Sequence, residues 1–260
     1  MNIKALFFDI DGTLVSFKTH RIPQSTVDAL TAAKRRGVKV FISTGRPVPF
    51  IVNLGQIAHL IDGYITTNGA RVLIDGEEIA LHAIAPDDVE RILHFCHTLG
   101  RSAIVVGTEH IGVQNYEPIV DEQFRVGLGL TDFQFTPLNE TLREPILQLS
   151  PFISPEEEAV LMPTLHGCNS GRWTDSFTDI TATAADKGKG LDAVLAHEGL
   201  QVAETMAFGD GGNDIPIIRR ASVGVAMGNG GEAVKAAADY VTSSVDEDGV
   251  VRALREYGVI

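Results

Sequence analysis

One local pattern recurs along this chain and constrains its fold more than any other feature. An apolar run of strand length stops at a small or acidic residue and leads into an amphipathic helix. Residues 4–8 form the first run, which stops at Asp9. Residues 24–36 then read as a helix, with Val27, Leu30 and Ala33 at helical spacing, Pro23 before it and Gly37 after it. Residues 38–42 form a second run ending at Ser43-Thr44-Gly45, and Tyr64-Ile65-Thr66 a short third. Far downstream, residues 205–208 end at Gly209-Asp210 and residues 223–226 at Met227-Gly228. Strands alternating with helices predict an α/β fold whose parallel sheet is covered on both faces.

The stretch from about 71 to 179 follows a different grammar. Two strand-like runs flank Asp75-Gly76, a hairpin signal. Residues 86–99 read as a helix with Pro86 in its first turn, Asp87 and Asp88 set well for its dipole, and Gly100 after it. Residues 102–106 read as a strand, and Ser154-Pro155-Glu156-Glu157-Glu158 opens another helix with serine as cap. Hairpins mixed with helices predict an α+β module inserted into the parallel-sheet domain. The expected division is 1–82 plus 183–260 for the sheet domain and 83–182 for the insert.

Composition removes several function classes. With 21 Lys+Arg against 34 Asp+Glu the formal charge is −13, which argues against nucleic acid or an anionic membrane as the main partner. No apolar run approaches the length that spans a bilayer, and the run at residues 5–8 is too short for a signal peptide. Two cysteines, Cys96 and Cys168, make no disulfide framework. The expectation is a cytoplasmic protein.

Chemistry gathers at the ends of the apolar runs. In Asp9-Ile10-Asp11-Gly12-Thr13, carboxylates at i and i+2 leave a strand on the same side if its geometry persists. Two such charges need a cation or a proton beside them, and Mg²⁺ favours hard oxygen ligands. The string alone is equally consistent with two aspartates capping a glycine turn. A second acidic cluster, Gly209-Asp210-Gly211-Gly212-Asn213-Asp214, shifts that balance by adding ligands after another apolar run. Its spacing lacks the alternating ligands and terminal Glu of an EF-hand. Thr44 could offer a hydroxyl to a phosphate, with the amides of Thr44 and Gly45, and Lys187 a compact positive charge. Singly, Thr44 reads as a helix cap and Lys187 with Lys189 as a solvated loop. Together, four segments place hydroxyl, ammonium and carboxylates at the carboxyl edge of one parallel sheet, where such folds bind ligands.

These residues resemble the four ordered motifs of haloacid dehalogenase-like phosphatases: Asp9-x-Asp11-Gly12-Thr13, Ser43-Thr44-Gly45-Arg46, Lys187, and Gly209-Asp210-Gly211-x-Asn213-Asp214. The insert between the second and third motifs, with Asn68-Gly69-Ala70 and Asp246-Glu247-Asp248-Gly249-Val250, is similar to the Cof-like branch of bacterial sugar-phosphate phosphatases. The resemblance implies a Rossmann-like parallel-sheet core with an inserted α+β cap domain. It implies Asp9 as nucleophile and Asp11 as general acid and base. Mg²⁺ would sit on the Asp9 and Asp210 carboxylates and the Asp11 carbonyl, with Asp214 in support through water. Thr44, Gly45 and Lys187 would hold the phosphoryl group, and Gly12 and Asn213 would shape the loops. Lys189 stands as the alternative to Lys187. The substrate would be a small phosphorylated metabolite, hexose phosphates first.

For the leaving group, Arg46, Asn68 and Arg172 are the candidates, beside a surface ion pair for Arg46 and a simple turn for Asn68. Trp173 next to Arg172 is either a sugar platform or buried packing. Gly228-x-Gly230-x-x-Ala233 imitates a dinucleotide fingerprint, but too little chain follows it for the remaining strands, and a glycine turn into a helix fits better. His94 and His97 share a helix face without the companions of a zinc site. Two other functions use similar residues. A receiver domain would keep the phosphoryl group as a switch, and a phosphomutase would return it to substrate.

Overall fold

The computed structural model of the chain describes residues 2–127, 129–130, 132–172 and 174–260; Trp173 lies outside the described residues. In chain order the strands are β1 (Ala5–Phe8), β2 (Lys39–Ser43), β3 (Gly63–Thr66), β4 (Arg71–Ile74), β5 (Glu77–Leu81), β6 (Ala103–Val106), β7 (Ile111–Gln114), β8 (Gln148–Pro151), β9 (Cys168–Gly171), β10 (Asp179–Ala182), β11 (Thr205–Gly209), β12 (Val223–Ala226) and β13 (Tyr240–Val241). Among these residues no helix is long and apolar enough to cross a membrane. Contacts divide the chain into two units, 1–46 with 53–81 and 186–260, and 47–52 with 82–185.

The first unit is built on the sheet β13-β12-β11-β1-β2-β3-β4-β5. Its first six strands run parallel and the β4–β5 hairpin adds an antiparallel edge. The hairpin therefore extends this sheet, which is mixed where sequence patterning predicts a parallel one. β1 is central and every side chain in it is fully buried, as expected of a strand covered on both faces. Side chains alternate: Phe7 stacks on Phe41 of β2, whereas Phe8 stacks on Phe208 of β11. Ala5, Phe7, Phe41 and Ile65 form one buried cluster with Leu191, Val194 and Leu195 of the helix Lys187–Glu198. From β1 the chain passes to β2 on one side and returns much later through β11 on the other. This reversal brings the carboxyl ends of β1, β2 and β11 together, the position at which ligands bind in open α/β sheets.

The second unit is an antiparallel sheet, β7-β6-β8-β10-β9. One face packs Ala103, Val105, Leu149 and Ile180 against Val89, Ile92, Leu93 and Cys96 of the helix Pro86–Thr98 and Leu161 of the helix Pro155–Leu161. Ser154 caps the latter in a capping box with Glu157, so the Ser-Pro-Glu-Glu-Glu signal sits at a helix start. The other face carries Ile104 and Val106 under an aromatic cluster that includes Phe50, Phe124, Phe152 and Phe177. Phe50 contacts the rings of Phe124 and Phe133, which is why 47–52 groups with this unit. That short excursion lies outside the expected boundaries near 82 and 183.

Candidate active site

Asp9 is the first residue beyond β1, and its amide donates to the Phe208 carbonyl at 3.1 Å. The parallel ladder thus holds it beside the end of β11. Its carboxylate meets Lys187, whose Nζ donates to Asp9 Oδ1 at 2.7 Å and to Asp214 Oδ1 at 2.6 Å. Lys187 and Asp214 are each 1% exposed. The other Asp214 oxygen accepts the amides of Asp210 (3.0 Å) and Gly211 (2.9 Å), which folds the glycine-rich loop around it. Asp9, Asp210 and Asp214 each bring a carboxylate oxygen to within 4.8 Å of the others'.

Three carboxylates against one ammonium leave the cluster short of positive charge. Burial, above all, holds the Asp9 carboxyl well above the usual carboxylate range; Lys187 opposes this, while Asp214, Asp210 and Asp11 add to it. Burial also pushes Asp210 up to about 6 against the pull of the Thr13 hydroxyl, with Asp214 raising it further. Burial alone would lower the Lys187 ammonium, yet Asp214 and Asp9 carry it above the ordinary lysine range. A hard divalent cation fits this donor set. Its oxygens bound at about 2.1 Å from one ion would lie within roughly 4.2 Å of each other, close to the spacing already present.

The loop after Asp9 is fitted around Asp210. Gly12 has φ +82°, and a Cβ there would overlap Asp210 Oδ2 and crowd Phe17. Thr13 Oγ1 donates to Asp210 Oδ1 at 2.9 Å. Asn229 Nδ2 donates to the Gly12 carbonyl (2.8 Å) and reaches Asp210 Oδ2 (3.3 Å), while its Oδ1 accepts the Val245 amide (3.0 Å). Gly12→Ala combines a left-handed penalty of about 1–2 kcal/mol with displacement of Asp210. The expected result is at least a tenfold loss of metal affinity, read by titrating activity with Mg²⁺. An unchanged titration would remove the steric role of Gly12.

Thr44 follows β2 and is 1% exposed. Its amide is committed to the Ile65 carbonyl at 2.8 Å. The expectation that this amide meets an anion is therefore corrected, because the β2–β3 ladder continues one residue past the strand. The Thr44 hydroxyl accepts the Arg46 amide at 3.1 Å. Gly45 sits where a Cβ would lie 3.1 Å from Asn68 Oδ1, and that oxygen accepts from Asn213 Nδ2 at 2.9 Å. Asn68 and Thr67 both have φ +53°; for a β-branched threonine this is strained backbone held by its surroundings.

Arg46 is occupied in a way its sequence position does not reveal. Its guanidinium grips Asp11 as a fork, Nε to Oδ2 and Nη2 to Oδ1, both at 2.7 Å. Lys189 points to Asp186 at 3.2 Å with half its side chain exposed, so of the two loop lysines only Lys187 enters the carboxylate cluster. Arg172, expected at the leaving group, is held by its own unit. It pairs with Glu158 at 2.8 Å and donates to the carbonyls of Ile153, Thr174 and Asp175, which builds it into its own unit. Asn229 and Thr13 went unassigned from sequence: Asn229 lies inside the glycine turn that mimics a dinucleotide fingerprint, and Thr13 only follows the acidic pair.

A family model described as haloacid dehalogenase-like hydrolase matches residues 6–254. A solved sugar phosphatase of HAD subclass IIB is 46% identical and covers 99% of this chain and 100% of its own, with a TM-score of 0.93. A phosphatase of the haloalkanoate enzyme superfamily from Bacteroides thetaiotaomicron is 36% identical over 99% of this chain and 96% of its own, with a TM-score of 0.87. Among curated sequences, the 5-amino-6-(5-phospho-D-ribitylamino)uracil phosphatase YcsE of Bacillus subtilis is 29% identical over 263 residues, 99% of this chain and 96% of its own.

Proposed function

Because the chain belongs to the haloacid dehalogenase-like hydrolases and is a phosphoric monoester hydrolase, we propose that it is a Mg²⁺-dependent phosphatase of small sugar phosphates, hexose phosphates first, working through an aspartyl-phosphate on Asp9. The observation that carries this reading is the buried Lys187 bridge between Asp9 and Asp214 beside Asp210. A sugar phosphatase is the 46% identical relative, and YcsE is named for a ribityl phosphate; both support a polyol leaving group.

In this mechanism an Asp9 oxygen attacks phosphorus as the bond to the sugar oxygen breaks. Asp11 gives its proton to that oxygen. In the second half Asp11 takes a proton from water, which attacks the same phosphorus and releases Asp9 and inorganic phosphate. Lys187 and the Thr44 hydroxyl hold phosphoryl oxygens whose charge peaks in the transition state. Lys187 must then turn part of its bonding from Asp9 to the phosphoryl group. Arg46 fixes the Asp11 carboxylate by engaging both oxygens, so one must be released before Asp11 can reach the leaving oxygen. A divalent ion on Asp9, Asp210 and Asp214 would neutralise charge at the phosphoryl group as a Lewis acid. Acid–base help, typically worth about 10²–10⁴, cannot by itself meet the acceleration of up to ~10²¹ that phosphate monoesters demand.

The test is phosphate release from p-nitrophenyl phosphate and a panel of hexose phosphates, with and without chelator. Turnover should vanish with chelator and return with Mg²⁺, and acid quenching should trap phosphate on the chain. Stoichiometric labelling without turnover would replace this reading with a phospho-acceptor switch. Dependence on a sugar bisphosphate would replace it with a mutase.

A further inference from the structure

Ser43 ends β2 with a hydroxyl that has nothing to bond. The residue is 1% exposed, and its Oγ has no hydrogen-bond partner among the described residues. Buried polar atoms are rarely left in this state, and an alanine would fill the same place without an unmet donor. The register of the sheet shows what flanks it. Phe8 of β1 pairs with Ile42, which sets Asp9 beside Ser43, and on the other side Ser43 pairs with Ile65 of β3. Phe7, Phe41 and Ile65 share one cluster with Leu191, Val194 and Leu195. Side chains two residues apart in a strand share a face, so Asp9 and Ser43 stand on the face covered by the helix Lys187–Glu198.

One side of the hydroxyl is an apolar wall. Ile65 is fully buried, and a Cβ at Gly190 would overlap its Cγ2, so the helix backbone closes on it. The neighbour on the other side is Asp9, whose Oδ1 accepts from Lys187 at 2.7 Å. Strands about 4.8 Å apart leave a serine hydroxyl and an aspartate carboxylate in adjacent register positions a gap that rotation about their own bonds can close. The ammonium is the stronger donor, and while it holds Oδ1 the hydroxyl stays unbonded.

We propose that Ser43 is a positioning residue for Asp9. When Lys187 turns toward the phosphoryl group, the Ser43 hydroxyl donates to Asp9 Oδ1, the oxygen that the lysine gives up, and keeps the carboxylate aligned with its other oxygen on phosphorus. No proton is transferred, and the serine keeps its hydrogen throughout. The proposal rests on the aspartyl-phosphate reading above. It accounts for the orphaned atom, whose partner is free only once the site is loaded.

The experiment compares the full wild-type chain with Ser43→Ala. In chelator the melting temperature of the variant should not fall, because alanine deletes an unbonded group. With Mg²⁺, kcat for p-nitrophenyl phosphate should nevertheless fall about tenfold with KM within about twofold, a split that a packing role would not produce. Beryllium fluoride, which sits on a carboxylate oxygen as a tetrahedral stand-in for the phosphoryl group, gives a readout without turnover. With Mg²⁺ it should raise the melting temperature of the wild type, and that of Ser43→Ala by roughly half as much. Equal kcat and equal fluoride shifts overturn the proposal and leave the phosphatase reading intact; where the two measurements disagree, the fluoride shift decides. A variant that melts well below the wild type in chelator also overturns it, because the hydroxyl then has a partner before the site is loaded. If the wild type turns over no ester yet responds to fluoride, the phosphatase reading fails and the fluoride shift still decides this one. A wild type that does neither removes Asp9 as a phosphoryl acceptor and overturns both.

Discussion

Asp9→Asn should abolish turnover while the metal-free protein melts no lower than the wild type. Asparagine keeps the shape of the side chain but removes the oxygen that the proposed covalent step needs as its nucleophile. Loss of a group that acts as part of a unit costs on the order of 10⁴–10⁶ in kcat, so the residual rate should sit at background. Stability moves the other way. Burial with Asp214, Asp210 and Asp11 nearby holds the Asp9 carboxyl well above its usual range, which means that its charge opposes folding at neutral pH. The neutral amide removes that opposition and leaves Lys187 its bond to Asp214. Stopped assays for phosphate and calorimetry in chelator test the two halves separately. A variant that is inactive because it melts far below wild type would show that Asp9 is needed for the fold, and its loss of rate would say nothing about nucleophilic attack.

How far this arrangement can be read from sequence depends on whether the determining contact is local. Asp9, Thr44 and Asp210 each follow an apolar run, and a strand end is a local property, so their gathering at one sheet edge follows from the alternation of strands and helices. Lys187 against Lys189 is different. Two helical positions lie about 200° apart, so only one can face the carboxylates, and the phase of the helix Lys187–Glu198 is set by packing of Leu191, Val194 and Leu195. The fork from Arg46 to Asp11 spans 35 positions and depends on tertiary closure alone. Asn229 hides in a glycine turn whose local grammar explains itself without a partner at Gly12. In the second unit, Gln148-Leu149-Ser150-Pro151 has one apolar side chain facing a core and ends in proline, so β8 shows no strand signal although it is central to its sheet. The excursion of 47–52 is likewise fixed by Phe50 meeting rings more than 70 positions away, beyond any local pattern.

Lys187→Met should lower stability more than any other single change at this site, and by an amount that depends on pH and on Mg²⁺. The ammonium is buried and bonded to two carboxylates. Methionine fills similar volume but leaves Asp9 and Asp214 facing each other and Asp210. Removing one partner of a buried ion pair costs about 3–5 kcal/mol, which corresponds to roughly 10 °C in melting temperature for a chain of this size. The sign with pH follows from the carboxylates. Asp9 and Asp210 already have folded pKa values above those of the unfolded chain, Asp210 at about 6, and loss of the cation raises them further. The folded state then binds more protons than the unfolded one across this range, so stability rises as pH falls and drops as pH rises through those values. The deficit of Lys187→Met in chelator should therefore be largest near pH 8 and shrink toward pH 5. Mg²⁺ should recover part of it at pH 8, because the ion returns positive charge to the same carboxylates, while turnover should stay low because the contact proposed between the ammonium and the phosphoryl oxygens is lost. Denaturant melts at the two pH values, each with chelator and with Mg²⁺, separate these effects. A deficit that ignores both pH and metal would assign the lysine a packing role and detach it from the charge balance of the cluster.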